Sequence, residues 1–366
     1  MFNFTALIYI IFFVLKQNIQ KIIEEELVIS KTVSRPETLC HSFDEDGYLC
    51  YDEIKTLNTM TCDFLGKSSD EKSYSNYYCG QSKNTALLEE KISQFLQTQA
   101  TFITGSYEGL CVEIFEDLLN KDDIILYDSA VSPWLRKGIK ICDADKKRFF
   151  HNDMSALENF LKLSVVNRLK VIVTDGIFYD SGECADLQKI RTLAEKYGAL
   201  VIIDDSFGFL TCGKKGHGAD EVCGVKNFQE LKIVNMQNSL CCSTGAFVSG
   251  DKTLTELLKL RSKSLKNTLS TDEKSILRAL DVLQDNETER QRLAKNAINL
   301  YEILKSLGYN PQKPVAGIVS FISEKPAEEL RRELKTHNLI AAFSKAGKNT
   351  LASFKVSAKW QMEYKN

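Results

Sequence analysis

The chain has 366 residues, 43% hydrophobic and 26% charged, with a formal net charge of −2. That length supports a large core and two or three domains, and the composition is far from that of a disordered chain. No long basic run gives an electrostatic case for nucleic acid. Eleven scattered cysteines, four histidines and no C-x-x-C argue against a zinc site and for reduced, mostly buried thiols.

In chain order, the first feature is FTALIYIIFFVL, Phe4–Leu15, with one polar residue in twelve. As a helix it spans about 18 Å, short of a ~30 Å hydrocarbon core. No basic segment precedes it and no A-x-A site follows, which argues against a cleaved signal peptide. Ile19, Ile22, Ile23 and Leu27 then recur at helical spacing, and Lys16 and Lys21 place that side in the cytosol. Residues 1–30 are therefore expected to be a membrane anchor or a membrane-lying helix.

A regular pattern begins near Tyr74. Residues 87–96 and 109–119 carry helical stripes, and DDIILYD is a short apolar run ending in Asp128. LKVIVTDGIF (169–178) is a β-branched strand, LQKIRTLAEKYG (187–198) an amphipathic helix closed by Gly198, and ALVIIDD (199–205) a buried strand ending in two carboxylates. Lys232–Gly250 reads as strand, polar bend, strand. This alternation predicts an α/β fold, a mostly parallel sheet with helices on both faces. Ligands of such sheets bind off the carboxyl ends of the strands, where Asp128, Asp175, Asp204 and Asp205 fall. Beyond Gly250, helical patterns and a strand–helix–strand tail predict a smaller α+β domain. The expected division is an arm at 31–72, a large domain at 73–252 and a small domain at 253–366 that ends short.

Three stretches carry a resemblance: RFFHNDMSALENFLK; VIVTDGIFYDSGECADLQKIRTLAEKYGALVIIDDSFGFLTCGKKGHG; and NMQNSLCCSTGAFVSG. Their order resembles the α-oxoamine synthases, fold-type I pyridoxal-phosphate enzymes that join an amino acid to an acyl-CoA with loss of CO₂. Within that family HNDMSALENFLK, the SFGFL…G..GHG loop and NMQNSL are most similar to the non-catalytic first subunit of serine palmitoyltransferases. YYCG, with Cys79, looks like that subunit's cysteine–glycine segment.

The resemblance implies a role for each matching position. Catalytic members carry a cofactor-binding lysine after the strand KIVNM; here Asn238 or, with a one-residue length difference, Ser239 takes its place. No lysine occurs between Ile233 and Asp251. The aspartate that holds the pyridinium nitrogen corresponds to Asp204 and is retained. Ser132 and Phe207 stand where catalytic members have histidines, one stacking on the ring and one near its hydroxyl. The phosphate-holding bend resembles TGSYEG (104–109), with Glu108 adding a negative charge. Lys355 falls about where a carboxylate-binding arginine is placed, and Cys79 is put at a dimer interface near the partner's site.

Without the resemblance, Asp204–Asp205 would read as solvated carboxylates and GKKGHG as a glycine-permissive turn. His151 would read as a structural residue beside a cap at Asn152 or Asp153. The resemblance implies a subunit without catalytic lysine, paired in a heterodimer with a lysine-bearing subunit that holds pyridoxal phosphate covalently. That pair would condense L-serine and palmitoyl-CoA to 3-ketosphinganine at the endoplasmic-reticulum membrane, with its catalytic domains in the cytosol. The alternatives are an active homodimeric synthase of the same fold and a free-standing regulatory pseudoenzyme.

Overall fold

The structure, a computed structural model, describes residues 19–28, 40–43, 49–51, 54–56, 81–225, 231–262 and 271–360. Phe4–Leu15 and Cys79 lie outside the described residues. In the N-terminal arm β1 (Cys40–Phe43), β2 (Leu49–Tyr51) and β3 (Ile54–Thr56) join β4 (Gln81–Ser82) in a sheet of order β3-β2-β1-β4.

The apolar runs form the main sheet. Its strands are β5 (Ala100–Thr104), β6 (Ile124–Asp128), β7 (Asp145–Phe149), β8 (Lys170–Asp175), β9 (Leu200–Asp204), β10 (Leu231–Asn235) and β11 (Ala246–Gly250), in the order β5-β11-β10-β9-β8-β6-β7. Pairs β6–β7, β6–β8 and β9–β10 are parallel, whereas β11 runs antiparallel to both β10 and β5. The antiparallel step follows from the short bend between β10 and β11, because parallel neighbours need a long crossover. Edge strand β7 carries Lys146, Lys147 and Arg148 at exposed positions, which discourages pairing with another chain. Phe115, Ile125, Val171, Ile202, Ile233 and Val248 belong to the core packed about this sheet.

Residues 19–28 form a helix whose stripe is spent on that core, not on lipid. Ile23 and Leu27 are buried in it, and Ile19 and Ile22 pack against it. Glu26 fixes the helix further through ion pairs to Arg168, at 2.7 Å, and to Arg261. Burial raises the Glu26 carboxyl, but the Arg261 and Arg168 contacts outweigh it and hold the group below its ordinary value. Arg168 also grips buried Asp123 with two nitrogens, at 2.8 and 3.0 Å.

The chain divides into two units. Described residues within Met1–Thr174, Gln188–Asp204 and Asn227–Gln284 form one; those within Asp175–Leu187, Asp205–Lys226 and Asp285–Asn366 form the other. The helix Lys252–Arg261, expected from sequence in the small domain, and the helix Glu273–Gln284 thus belong to the large unit. For the first helix the reason is its buried face, since Leu254, Leu257 and Leu258 enter the main core.

In the second unit β12 (Ile318–Ser323), β13 (Ala342–Ala346) and β14 (Asn349–Lys355) form an antiparallel sheet of order β12-β14-β13. The expected strand–helix–strand tail therefore gains a final hairpin. Its two-residue turn is Gly347-Lys348, with Gly347 at φ 64° as such turns require. Helices Glu287–Ser306 and Ala327–Thr336 contribute Leu300, Leu304, Leu330 and Leu334 to a core with Val319, Phe321 and Phe354.

Ile23→Ala should lower the unfolding free energy by about 2–5 kcal/mol, as truncations of buried Ile do. Denaturant melts would check this; an unchanged midpoint would mean that helix 19–28 is not docked.

Candidate active site

In the large unit the site forms at the carboxyl ends of β5, β6 and β9. Ser106 caps helix Tyr107–Leu118, accepting a hydrogen bond from the Gly109 amide at 3.0 Å, and donates to Glu108 at 3.3 Å. The bend expected to hold a phosphate therefore already engages one of its amides, with a carboxylate beside it.

Tyr107 starts that helix and turns its buried phenol onto Asp204, to which it donates a short hydrogen bond. Ser132 also donates to the same Asp204 oxygen, at 3.4 Å, and lies 3.3 Å from the Tyr107 hydroxyl. Ser132 is at the same time the N-cap of helix Pro133–Ile141, accepting from the Leu135 amide at 3.4 Å. Burial, and next the Asp204 charge, push the Tyr107 phenol far up, so it remains a proton donor. Asp204 is 3% exposed and is not a solvated strand end.

Asp128, 1% exposed, accepts from the amides of Ala130 and Asn152 at 2.7 and 2.8 Å and lies 3.1 Å from His151 Nδ1. His151 has the structural role read from sequence, and the cap beside it is Asp153, which accepts from Ala156 at 2.9 Å. The two residues offered for the missing lysine differ in setting. Asn238 is exposed, whereas the Ser239 hydroxyl is enclosed with no hydrogen-bond partner. The enclosed hydroxyls of Thr104 and Thr271 also lack partners. They lie near Gly245, where an added Cβ would meet Thr271 Oγ1 at 2.3 Å and the Thr104 carbonyl at 3.2 Å.

In the second unit Asp205 is fully buried and closely wrapped by glycines. An added Cβ would meet its carboxylate oxygens at 2.6 Å from Gly176, 2.0 Å from Gly208 and 1.9 Å from Gly218. Asp205 accepts from the Ala219 amide at 3.2 and 3.3 Å. Gly218 of the GHG is thus explained by its close approach to this carboxylate, at φ 103°.

Phe207 and Lys355, read separately as departures from the catalytic pattern, meet in the same unit. The Lys355 ammonium lies 4.4 Å from the Phe207 ring centroid and 5.8 Å from that of Tyr179, and donates to the Tyr179 carbonyl. This is a cation–π contact in which the two residues satisfy one another. Lys355 is exposed as a residue, yet desolvation of its amine, opposed by the Asp180 charge, lowers its pKa to about 8. Sequence reasoning missed Tyr107 and this pairing, because neither leaves a local signal.

The profile described as "Aminotransferase class I and II" matches residues 55–346. The chain belongs to that family. Its relatives are α-oxoamine synthases and pyridoxal-phosphate enzymes of the acyltransferase type. Mitochondrial 2-amino-3-ketobutyrate coenzyme A ligase of Mus musculus is 32% identical over 65% of this chain and 58% of the relative. The Bos taurus protein of the same name is 30% identical over 64% and 56%, and 8-amino-7-oxononanoate synthase 1 of Bacillus velezensis is 28% identical over 69% and 66%. The chain thus spans under three-fifths of the mammalian relatives. Among solved structures, Sphingomonas wittichii serine palmitoyltransferase aligns with TM-score 0.73 and 20% identity over 93% of this chain and 92% of that one. The fold is accordingly the fold-type I transferase fold expected from sequence.

The expected endoplasmic-reticulum membrane location does not hold. The mammalian relatives are mitochondrial by name and the others bacterial. Among the described residues no helix is long and apolar enough to cross a membrane.

The family's cofactor can be tested against these residues. The carboxylate assigned to the pyridinium nitrogen already receives hydroxyls from Tyr107 and Ser132. The Ile233–Asp251 segment offers no amine, and the enclosed hydroxyls near Gly245 carry no positive charge to balance a phosphate. The residues present do not fit a covalently held pyridoxal phosphate.

Two outcomes test this arrangement. Tyr107→Phe removes a donor from a buried carboxylate and should cost about 1–3 kcal/mol. In a double-mutant cycle with Asp204→Asn, a coupling near zero would show that the two side chains do not interact. Lys355 should make stability depend on alkaline pH. Between about 8 and its ordinary value of 10.5 the unfolded chain binds more protons at this site than the folded one. Stability should therefore rise with pH across that window, and Lys355→Met should abolish that increment in melts followed from pH 7 to 10.5. An unchanged slope would place the amine in water.

Proposed function

We propose that the chain is the non-catalytic subunit of a serine palmitoyltransferase-type heterodimer in sphingolipid biosynthesis. Its partner carries the lysine and the pyridoxal phosphate and condenses L-serine with palmitoyl-CoA to 3-ketosphinganine, CoA and CO₂. The observation that carries this reading is the lysine-free segment from Ile233 to Asp251 in a chain of this family. The internal engagement of the remaining site supports it. Asp204 is held by Tyr107 and Ser132, and Phe207 is covered by Lys355, so these groups are engaged within the chain.

The role left for such a subunit is structural. A folded body of this type supplies its partner with a large complementary surface and with residues at the edge of the partner's site, for which Cys79 is the candidate by resemblance. An obligate interface of that kind makes each subunit's stability depend on the other. The homodimeric reading requires an amine donor for the cofactor, which the segment after β10 does not offer.

Co-expressed with a lysine-bearing family member from the same genome, the chain should purify in a one-to-one complex. That complex should release CoA only when serine and palmitoyl-CoA are both supplied. Incubated alone with pyridoxal phosphate and borohydride, the chain should yield no stoichiometric pyridoxyl-lysine. Trapping at one defined lysine, or serine-dependent CoA release by the chain alone, would overturn the proposal.

A further inference from the structure

Two thiols outside the site just described lie within reach of a bond. Cys184, bridged to Ile177 at the end of the loop after β8, and Cys223, which ends the helix Ala219–Val222, have their Sγ atoms 2.9 Å apart. Both belong to the second unit and both are half-buried, unlike Cys111, Cys142, Cys212 and Cys242, which are buried. A disulfide needs about 2.05 Å between sulfurs, so closure requires roughly 0.9 Å of sulfur movement.

The local geometry distinguishes the two. Cys223 Sγ lies 3.3 Å from the Ala185 carbonyl and also faces the Leu187 amide and the charged groups of Asp186 and Asp205. The hydrogen bond from Cys184, and next the Leu187 amide, outweigh burial and the two carboxylates and lower the Cys223 thiol. The same hydrogen bond, burial and the Cys223 charge raise the Cys184 thiol. Cys223 is thus the more acidic thiol of the two.

We infer that Cys184 and Cys223, with sulfurs 2.9 Å apart, form a reversible disulfide site, with Cys223 reacting first and a small-molecule disulfide as the oxidant. Cys223 gives up its proton and attacks one sulfur of the oxidant, forming a mixed disulfide and expelling one thiolate, which takes up that proton. Cys184 then loses its proton and attacks Cys223 Sγ, expelling the second thiol. The pair loses two electrons and two protons, and the oxidant is reduced to two thiols. The bond would tie the loop carrying Tyr179, whose carbonyl accepts from Lys355, to the helix whose Ala219 amide binds Asp205. It would fix two loop segments that sequence leaves thirty-nine residues apart.

The test uses the full chain, with its partner if one co-purifies. Glutathione disulfide is added, remaining thiols are alkylated, and intact mass and peptide mapping are read. The expected result is a loss of two hydrogens with a Cys184–Cys223 cross-linked peptide, formed roughly tenfold or more faster than any adduct on exposed Cys241. The melting temperature should rise by about a few degrees, reversed by dithiothreitol. Cys184→Ser should stop at a stable glutathione adduct on Cys223, and Cys223→Ser should leave Cys184 largely unmodified. If both thiols of the unsubstituted chain stay separately alkylatable, or each ends as its own glutathione adduct, the site does not exist. That readout is independent of serine palmitoyltransferase activity and of any variant's folding.

Discussion

Burying a carboxylate is costly unless its oxygens find hydrogen-bond donors, and this chain buries two in succession at the end of β9. Asp204 is satisfied by hydroxyls from Tyr107 and Ser132, and Asp205 by the Ala219 amide within a cradle of glycines. Much of the surrounding structure serves these two groups. The first helix after β5 begins where its Tyr107 can reach Asp204, and Gly208 and Gly218 are glycines because a Cβ would enter the space of Asp205. The donors to Asp204 are thus part of the protein itself.

The same constraint bears on Phe207 and Lys355. Phe207 offers no side-chain hydrogen bond, and Lys355 lacks the planar fork of an arginine. Placed together, ring and ammonium become a cation–π pair. Buried polar groups require partners whether or not chemistry takes place. The observed contacts supply partners from within the chain for the carboxylate and the ammonium. The enclosed hydroxyls of Ser239, Thr104 and Thr271 remain unpaired.

The N-terminal helix shows how one sequence pattern admits two solvents. A stripe of Ile19, Ile22, Ile23 and Leu27 has the same period whether it meets lipid or a protein core. The deciding contacts are Glu26 with Arg168 and Arg261, 142 and 235 residues away in sequence. Charges of opposite sign at those positions leave no local mark on residues 19–28.

Periodicity and punctuation by themselves determined the secondary structure and the sheet. Apolar runs ending in Asp128, Asp175 and Asp204 became β6, β8 and β9, and the amphipathic stretch before Gly198 became a helix closed at positive φ. The absence of a lysine between Ile233 and Asp251 is also a property of sequence alone. These features were legible because helix and strand repeats are short-range, within a few residues of each other. Tertiary structure alone decided the pairings: Tyr107 with Asp204, Phe207 with Lys355, Cys184 with Cys223, and helix 19–28 with the core. Each joins residues from 39 to more than 200 positions apart or depends on burial, and burial is set by which elements pack together and not by the residues that precede or follow in the chain.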